Sequence, residues 1–171
     1  MAKSNIVEYS LEIPKEVQAT VNGFAVSVSG PKGKSSKVFS LRGLEISLSN
    51  GKILLRGALC EANTAKKHIL NMFEGCAKGY VRKMKIIYAH FPISVSLKGK
   101  EIEIKNFIGE RKPRVSRVMG DTKVEVKGQS ITVSGPDKDD VGQTVANLRI
   151  ATKIVGRDSR VFQDGIYPVE E

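Results

Sequence analysis

The chain has few of the residues that build catalytic or metal-binding sites. Its 171 residues include two cysteines, Cys60 and Cys76, and two histidines, His68 and His90. The cysteines are too few and too widely spaced for a disulfide framework or a zinc site. Neither histidine lies in a serine, cysteine or carboxylate pattern that would recruit it as an acid or a base. The sequence therefore predicts that the chain is not an enzyme and holds no metal or cofactor.

Long apolar runs are also missing. No run approaches the roughly 18 apolar residues that a membrane span needs, and the first residues lack the apolar core of a signal peptide. The segment Gly30-Pro31-Lys32-Gly33 suggests a phosphate loop, but the Walker spacing is absent and a strand, not a helix, follows it. We therefore expect a cytoplasmic protein without a membrane partner and without nucleotide hydrolysis.

Acidic residues are outnumbered. The sequence has 28 Lys and Arg against 18 Asp and Glu, which gives a net charge of +10. A chain this basic usually meets a polyanion, and nucleic acid is favoured over a surface that merely happens to be basic. The charge is uneven: counting to Phe91 gives 14 − 6 = +8, and counting from Pro92 gives 14 − 12 = +2. The second half must therefore bind through local clusters rather than through its average charge.

An internal repeat is the most informative feature that is present. Alternating apolar and polar segments begin at Asn22 and again at Lys98. Glycines recur 76 to 78 positions apart, in the pairs Gly23 and Gly99, Gly33 and Gly109, Gly51 and Gly128, Gly57 and Gly135, Gly79 and Gly156. This series predicts an α+β fold with two tandem repeats, each a small, mostly antiparallel sheet with one packed helix. We place the domains at 1–83 and 84–171.

Each repeat is expected to contain two hairpins and to close with its helix. The first helix is predicted at 63–78, with Asn63 or Thr64 as the amino-terminal cap and Gly79 at its end. The second helix is predicted at 137–155, with Asp137 as the cap and Gly156 at its end. Its apolar face is expected to hold Val141, Val145, Leu148 and Val155.

Three basic clusters are candidate phosphate-binding sites. The first is a glycine-containing loop with Lys32, Gly33, Lys34 and Lys37. The second contains Arg111, Lys112, Arg114 and Arg117. The third contains Arg149, Lys153, Arg157 and Arg160. The less favoured alternative for the first two is a surface loop without a partner, and the third could equally serve the helix dipole.

Few aromatic side chains are expected to be free to stack on unpaired bases. Phe24, Phe39, Phe73 and Phe107 lie at positions that suit a core. This argues against a platform for single strands and for recognition of the backbone or shape of folded RNA.

Several segments together resemble one protein family over nearly the whole chain. They are Gly30–Gly33 (GPKG), Asn50-Gly51, 106–112 (NFIGERK), 137–143 (DKDDVGQ), 146–149 (ANLR) and 160–167 (RVFQDGIY). The pattern is similar to the ribosomal protein L-six family of the large subunit, in its archaeal and eukaryotic branch. The carboxy-terminal segment is the most specific of them, and it differs from the bacterial ending.

The resemblance implies a structural, RNA-binding component of the large ribosomal subunit. It implies that the second domain is the main unit for binding large-subunit rRNA, near the sarcin–ricin loop and the landing site of translational GTPases. By resemblance, Gln143, Arg149, Lys153, Arg157, Arg160 and the tail Asp164–Tyr167, which includes Tyr167, lie near the RNA. The basic loop Arg111–Arg117 is implied as a second contact. Large-subunit rRNA, neighbouring large-subunit proteins and translational GTPases are the implied partners. The acidic end, Glu170-Glu171, is expected to point away from phosphate.

Two questions stay open at this level. A free-standing RNA- or protein-interaction module would share the same fold, and only a ribosomal component would co-sediment with the large subunit. Residues 157–167 are too apolar for a solvated tail, and Asp164-Gly165 predicts a turn that folds the segment back. This segment is expected either to dock on RNA or the ribosome, or to cover the open end of the second sheet with Phe162 and Ile166, and both can hold together.

Overall fold

The chain forms two compact units. A computed structural model describes residues 6–41, 43–49, 51–158 and 160–169. Unit 1 spans Met1–Gly79 and unit 2 spans Tyr80–Glu171. The second unit thus begins four residues before position 84, because the strand that starts at Tyr80 pairs with strands of unit 2.

Unit 1 contains six strands and one helix within its described residues. They are β1 (Ile6–Glu12), β2 (Gln18–Asn22), β3 (Ala25–Gly30), β4 (Gly33–Val38), β5 (Glu45–Ser49), β6 (Lys52–Ala58) and α1 (Leu59–Ala77). The strands form two antiparallel sheets, with the orders β1-β6-β5 and β2-β3-β4. Helix α1 packs on strands of both sheets.

Unit 2 has the same organisation with an added strand. Its elements are β7 (Tyr80–Ile87), β8 (Ser94–Lys98), β9 (Glu101–Lys105), a 3-10 turn (Phe107–Gly109), β10 (Arg114–Arg117), β11 (Lys123–Lys127), β12 (Ser130–Gly135), α2 (Lys138–Ala151) and β13 (Gly165–Pro168). The sheets have the orders β11-β12-β7-β13 and β10-β9-β8.

The two units share one topology, which confirms the predicted repeat and the α+β class. In unit 1 the first strand, β1, pairs with β6, and in unit 2 the equivalent strand, β7, pairs with β12. The hairpin β2-β3 likewise matches β8-β9. Each unit holds two small sheets rather than one, so the two hairpins of each repeat lie in different sheets.

Period-two alternation explains how each sheet buries one face. On β6, Ile53 and Leu55 are fully buried, whereas Lys52 and Arg56 face solvent. The equivalent positions on β12, Ile131 and Val133, are also fully buried. Side chains from both sheets and the helix meet in one apolar cluster per unit. In each unit the helix therefore covers the inner faces of the two sheets, and the outer faces of the sheets are not covered by it.

Helix α1 begins earlier than the sequence predicts. It starts at Leu59, directly after β6, and its N-cap residue Ala58 makes no side-chain cap hydrogen bond. Asn63 and Thr64 therefore lie inside the helix, and their prediction as caps was wrong. The predicted end is confirmed, because Gly79 adopts φ +80° and its N–H donates to the Gly75 carbonyl at 2.9 Å.

Helix α2 begins as predicted and ends earlier. The carboxylate of Asp137 accepts a hydrogen bond from the Asp139 N–H at 2.8 Å, which confirms Asp137 as the cap. The helix stops at Ala151, so Gly156 does not terminate it. Val155 lies beyond the helix and is 80% exposed, and its placement on the buried face was wrong. In the described part of the chain, neither helix is long and apolar enough to cross a membrane.

Candidate nucleic-acid interface

The segment Gly30-Pro31-Lys32-Gly33 is a tight turn against the end of α1. The Lys32 N–H donates to the Cys76 carbonyl at 3.0 Å. Gly30 approaches the same carbonyl so closely that a Cβ there would lie 2.5 Å from its oxygen. This turn uses a backbone donor to satisfy a helix carbonyl, so that N–H is not available to phosphate.

The rest of the first cluster is a strand, and its prediction as a loop was wrong. Lys34 and Lys37 lie on β4, three residues apart, so alternation places them on opposite faces. Lys34 is exposed. The Lys37 ammonium donates to His68 Nδ1 on α1 at 3.0 Å. The sheet therefore separates the lysines that the sequence groups together.

Arg114 of the second cluster is held inside the fold. Its guanidinium makes a two-pronged pair with the Glu110 carboxylate, at 2.8 Å and 2.6 Å. It also donates to the carbonyls of Ala151 and Lys153, both at 3.0 Å, and lies 4.3 Å above the centre of the Phe107 ring. Four of its five N–H donors are thus used. Arg114 serves the end of α2 and has little capacity left for phosphate.

This arrangement also affects the charge of Glu110. The hydrogen bond from Arg114 holds the pKa of the Glu110 carboxyl below its ordinary value, and the nearby charge of Arg157 lowers it further. The charges of Arg114 and Arg157 therefore both act on this one carboxylate. The structure brings the second and third clusters, which the sequence separates, to the same end of unit 2.

The remaining residues of the second cluster are accessible. Arg111, Lys112 and Arg117 are all exposed. The Gln143 amide donates to Asn147 Oδ1 at 2.9 Å, and the Asn147 amide donates to the Arg117 carbonyl at 3.1 Å. Gln143 and Arg117 therefore belong to one polar chain that links α2 to β10.

The third cluster surrounds an open groove of about 720 Å³ at the carboxyl end of α2, here called the α2 groove. Its lining consists of Ala146, Arg149, Ile150, Thr152, Lys153, Ile154, Arg157, Phe162, Ile166 and Tyr167. Four of the predicted site residues, Arg149, Lys153, Arg157 and Tyr167, thus meet in one place. Three of the lining residues are positive and none is negative.

The cations of the groove differ in how far they are engaged. The Arg157 guanidinium lies over the Phe162 ring, 5.0 Å from its centre, in a cation–π contact. Arg160, by contrast, is outside the groove lining, and its guanidinium donates to both carboxylate oxygens of Asp158 at 3.2 Å. The hydrogen bonds from Arg160 lower the pKa of the Asp158 carboxyl. Asp158 thus offsets the charge of Arg160, whereas Arg149, Lys153 and Arg157 form no ion pair with any described carboxylate.

The carboxy-terminal segment is an ordered edge strand. The buried carboxylate of Asp164 accepts the Ala89 N–H at 2.9 Å, and the Ile166 N–H donates to the Thr152 hydroxyl at 3.2 Å. Ile166 is fully buried, so the expectation that it covers the sheet is confirmed. Phe162 and Tyr167 each remain 37% exposed and face the groove. Glu170 and Glu171 lie outside the described residues.

A second basic surface was missed by the sequence analysis. On the outer face of the sheet β11-β12-β7-β13, pairing aligns Tyr167 with Lys85, Lys85 with Ser130, and Ser130 with Lys127. The same face carries Lys83 and Lys123, and its acidic residue on β11 is Glu125, paired with Lys127 at 3.2 Å. We call it the lysine face. Lysines at period two on β7 and β11 were the available signal.

Other residues do not suggest a different chemistry. In the described ranges, no group of three His, Cys, Asp or Glu side chains could hold a metal ion. Cys60 is exposed and Cys76 is buried, and neither is in a disulfide. Phe39, Phe73 and Phe107 are buried as expected. Phe24 is 56% exposed on the β2-β3 turn, so its placement in the core was wrong.

Comparison with known proteins identifies the family. The model of the family described as "Ribosomal protein L6" matches residues 91–165. Large ribosomal subunit protein uL6 of Methanobrevibacter smithii is 40% identical, over 100% of this chain and 99% of its own length. The protein of the same name from Sulfurisphaera tokodaii is 43% identical over 92% of this chain and 88% of its own. The chain therefore belongs to the ribosomal protein L6 family, which confirms the resemblance drawn from its motifs.

Proposed function

We propose that this chain is a structural constituent of the large ribosomal subunit in the cytoplasm and binds large-subunit rRNA mainly through unit 2. The relatives named large ribosomal subunit protein uL6 support the assembly. The observation that supports the RNA contact is the α2 groove, where three cationic side chains, none within ion-pair distance of a described carboxylate, surround an accessible cleft. RNA phosphates are the polyanion that such a cluster suits.

The surroundings of the groove extend this interface. Arg111, Lys112 and Arg117 are exposed beside the end of α2, and Gln143 and Tyr167 complete the set of proposed contacts. In unit 1, Lys32 and Lys34 are exposed and provide a smaller contact, with Gly33 shaping the turn between them. Arg160 contributes less because Asp158 offsets its charge, and Lys37 contributes less because its ammonium donates a hydrogen bond to His68 Nδ1.

The location of this contact follows the family resemblance. We propose that the protein lies near the sarcin–ricin loop and the landing site of translational GTPases, next to other large-subunit proteins. In this position it supports translation by holding rRNA and performs no chemistry itself. The rigid attachment of β13 to β7 and to Thr152 supports a scaffold role, because a preorganised surface loses less entropy on binding.

A titration of the full chain with a large-subunit rRNA transcript at several salt concentrations tests this proposal. The variant Arg149→Ala/Arg157→Ala removes two charges from the groove, and the matched control Lys32→Ala/Lys34→Ala removes two exposed charges from unit 1. Each lost phosphate contact should reduce the slope of log affinity against log salt by about 0.7 to 0.9. We expect the groove variant to lose more slope and more affinity than the control.

Two results would contradict the proposal. If the wild-type chain does not bind the transcript above the level of an unrelated RNA, rRNA binding is wrong. If the control variant loses as much slope as the groove variant, unit 2 is not the main binding unit.

A further inference from the structure

The lining of the α2 groove is not that of a surface for duplex phosphates alone. Six of its lining residues have aliphatic or aromatic side chains, Ala146, Ile150, Ile154, Phe162, Ile166 and Tyr167. Ile150 is 66% exposed, although it lies on a helix of a folded protein. An apolar floor inside a ring of positive charge suits a ligand with a flat apolar part and attached phosphates. A nucleotide has both.

The Arg157–Phe162 pair offers a place to stack a base. The guanidinium carbon of Arg157 lies over the Phe162 ring, 5.0 Å from its centre, and the ring remains 37% exposed, so the pair presents a cation and an aromatic side chain to the groove. Guanidinium planes and aromatic rings are the surfaces on which proteins stack unpaired RNA bases. The cation–π contact restrains the Arg157 side chain before a base arrives, which reduces the ordering cost of binding.

The lysine face adjoins the α2 groove at Tyr167. Tyr167 lines the groove and is also the register partner of Lys85 on the outer face of the sheet. The row continues through Ser130 to Lys127 on adjacent strands. Strands lie about 4.8 Å apart, so this row spans a distance comparable to two or three backbone phosphates. Arg149 lies on the last turn of α2 and Lys153 lies two residues beyond its end.

We propose that the α2 groove takes one unpaired nucleotide of the bound RNA, with its base stacked on the Arg157–Phe162 pair. The phosphate on one side contacts Arg149 and Lys153, and the phosphate on the other passes Tyr167 towards Lys85. This inference rests on the proposed rRNA binding and specifies its recognition mode. It also revises the expectation, drawn from the sequence, that the protein lacks aromatic side chains free for unpaired bases.

Two conservative variants separate stacking from charge. Arg157→Lys keeps the positive charge and removes the planar group. Phe162→Leu keeps an apolar side chain and removes the ring. Their matched controls are Arg56→Lys, at an exposed arginine on β6 of unit 1 outside the proposed contacts, and Phe24→Leu, at an exposed phenylalanine in unit 1. The experiment measures the affinity of each full-length variant for the large-subunit rRNA transcript, its salt slope, and the chemical reactivity of each nucleotide.

We expect the wild-type chain to protect the base of at least one unpaired nucleotide from modification. Arg157→Lys should lower affinity about five- to tenfold, leave the salt slope unchanged, and restore the reactivity of that base. Phe162→Leu should have the same effects, and both controls should behave as wild type. Circular dichroism melts of every variant show whether any loss comes from unfolding, and Arg157→Lys carries the test if Phe162→Leu unfolds.

Three results would overturn the inference while leaving rRNA binding intact. The first is that all protected nucleotides lie in base-paired stems. The second is that Arg157→Lys binds and protects as wild type does. The third is that folded Arg157→Lys binds the naked transcript as wild type does but binds a neighbouring ribosomal protein more weakly. That result would mean that the groove binds an acidic peptide. Absence of any transcript binding by the wild-type chain would instead contradict the proposed function.

Discussion

The guanidinium of Arg114 donates two hydrogen bonds to the Glu110 carboxylate, at 2.6 Å and 2.8 Å. It also donates to the carbonyls of Ala151 and Lys153 at the end of α2. Arginine in a basic cluster suggests a phosphate contact, and here the geometry assigns it a structural one. The pair fixes the position of Lys153, whose own carbonyl is one of the acceptors. The shape of the α2 groove therefore depends on a residue that does not line it.

Replacing Arg114 should weaken the fold more than it weakens RNA binding. Arg114→Ala leaves the Ala151 and Lys153 carbonyls without this donor, and we expect a loss of about 1 to 2 kcal/mol in the free energy of unfolding of unit 2. Arg111→Ala, at an exposed position in the same segment, should cost less than about 0.5 kcal/mol. Urea denaturation followed by circular dichroism measures both. Equal stability of the two variants would show that Arg114 does not hold the helix end.

The pKa of Glu110 predicts how this pair responds to pH. Because its folded pKa is depressed, the carboxylate stabilises the folded state above the unfolded pKa of about 4.3, and this contribution is lost as the pH falls through the folded value. Glu110→Gln should therefore be less stable than wild type near pH 7, and the difference should shrink below about pH 4. Thermal melts between pH 3 and 7 test this, with Glu16→Gln in unit 1 as the control. A difference that persists unchanged to the lowest pH would argue against an ionic contribution.

Gly30, in the turn of unit 1, and Gly142, on α2, differ in how much space a Cβ would have. A Cβ at Gly30 would lie 2.5 Å from the Cys76 carbonyl oxygen, whereas a Cβ at Gly142 on α2 would meet nothing within 4 Å. Gly30→Ala should destabilise unit 1 by about 1 to 3 kcal/mol through overpacking. Gly142→Ala should stabilise α2 by about 0.5 to 1 kcal/mol, since alanine is the better helix former. Denaturation curves that show no loss for Gly30→Ala would mean that the turn can move off α1.

Gly165 positions the aromatic ring at the edge of the groove. A Cβ there would lie 2.9 Å from Tyr167 Cε2, so the ring covers the glycine. In Gly165→Ala the flexible ring should swing aside, which changes stability by less than about 1 kcal/mol but lowers RNA affinity. The measurement is a transcript titration beside a urea melt. Unchanged affinity with a displaced tyrosine signal in the NMR spectrum would remove Tyr167 from the interface.

The sequence predicts the repeat well because its signals are local. Alternation on β6 and β12 and the glycine offsets require no partner to be known, and the cap Asp137 is readable from its own neighbours. The start of α1 cannot be predicted in the same way, because the helix follows β6 directly and has no capping side chain. Asn63 resembles a cap only if the strand before the helix is not taken into account. Strand β13 is four residues long and ends in Pro168, so its own sequence gives only a weak strand signal. It forms because it pairs with β7, which lies far away in the sequence.

The site is predictable as a set of residue types and not as a geometry. Arg149, Lys153, Arg157 and Tyr167 are found from the sequence, and the structure collects them around one groove. Lys34 and Lys37 lie on opposite faces of the sheet because side chains alternate along a strand. The prediction of a loop at this position did not include that alternation. The Glu110–Arg114 pair is not predictable from its spacing of four, because that rule holds on a helix and these two residues lie between a 3-10 turn and the start of β10. The lysine face requires the strand register, which joins residues more than 40 positions apart.

Sucrose-gradient sedimentation of a tagged wild-type chain from its source cells tests the central claim most directly. The account predicts that the protein co-sediments with the large subunit, and that the Arg149→Ala/Arg157→Ala variant is released from it at lower salt than wild type or Lys32→Ala/Lys34→Ala. Release should follow salt because the lost contacts are to phosphate. A wild-type chain found only in the particle-free fractions would contradict the claim and favour a free-standing interaction module.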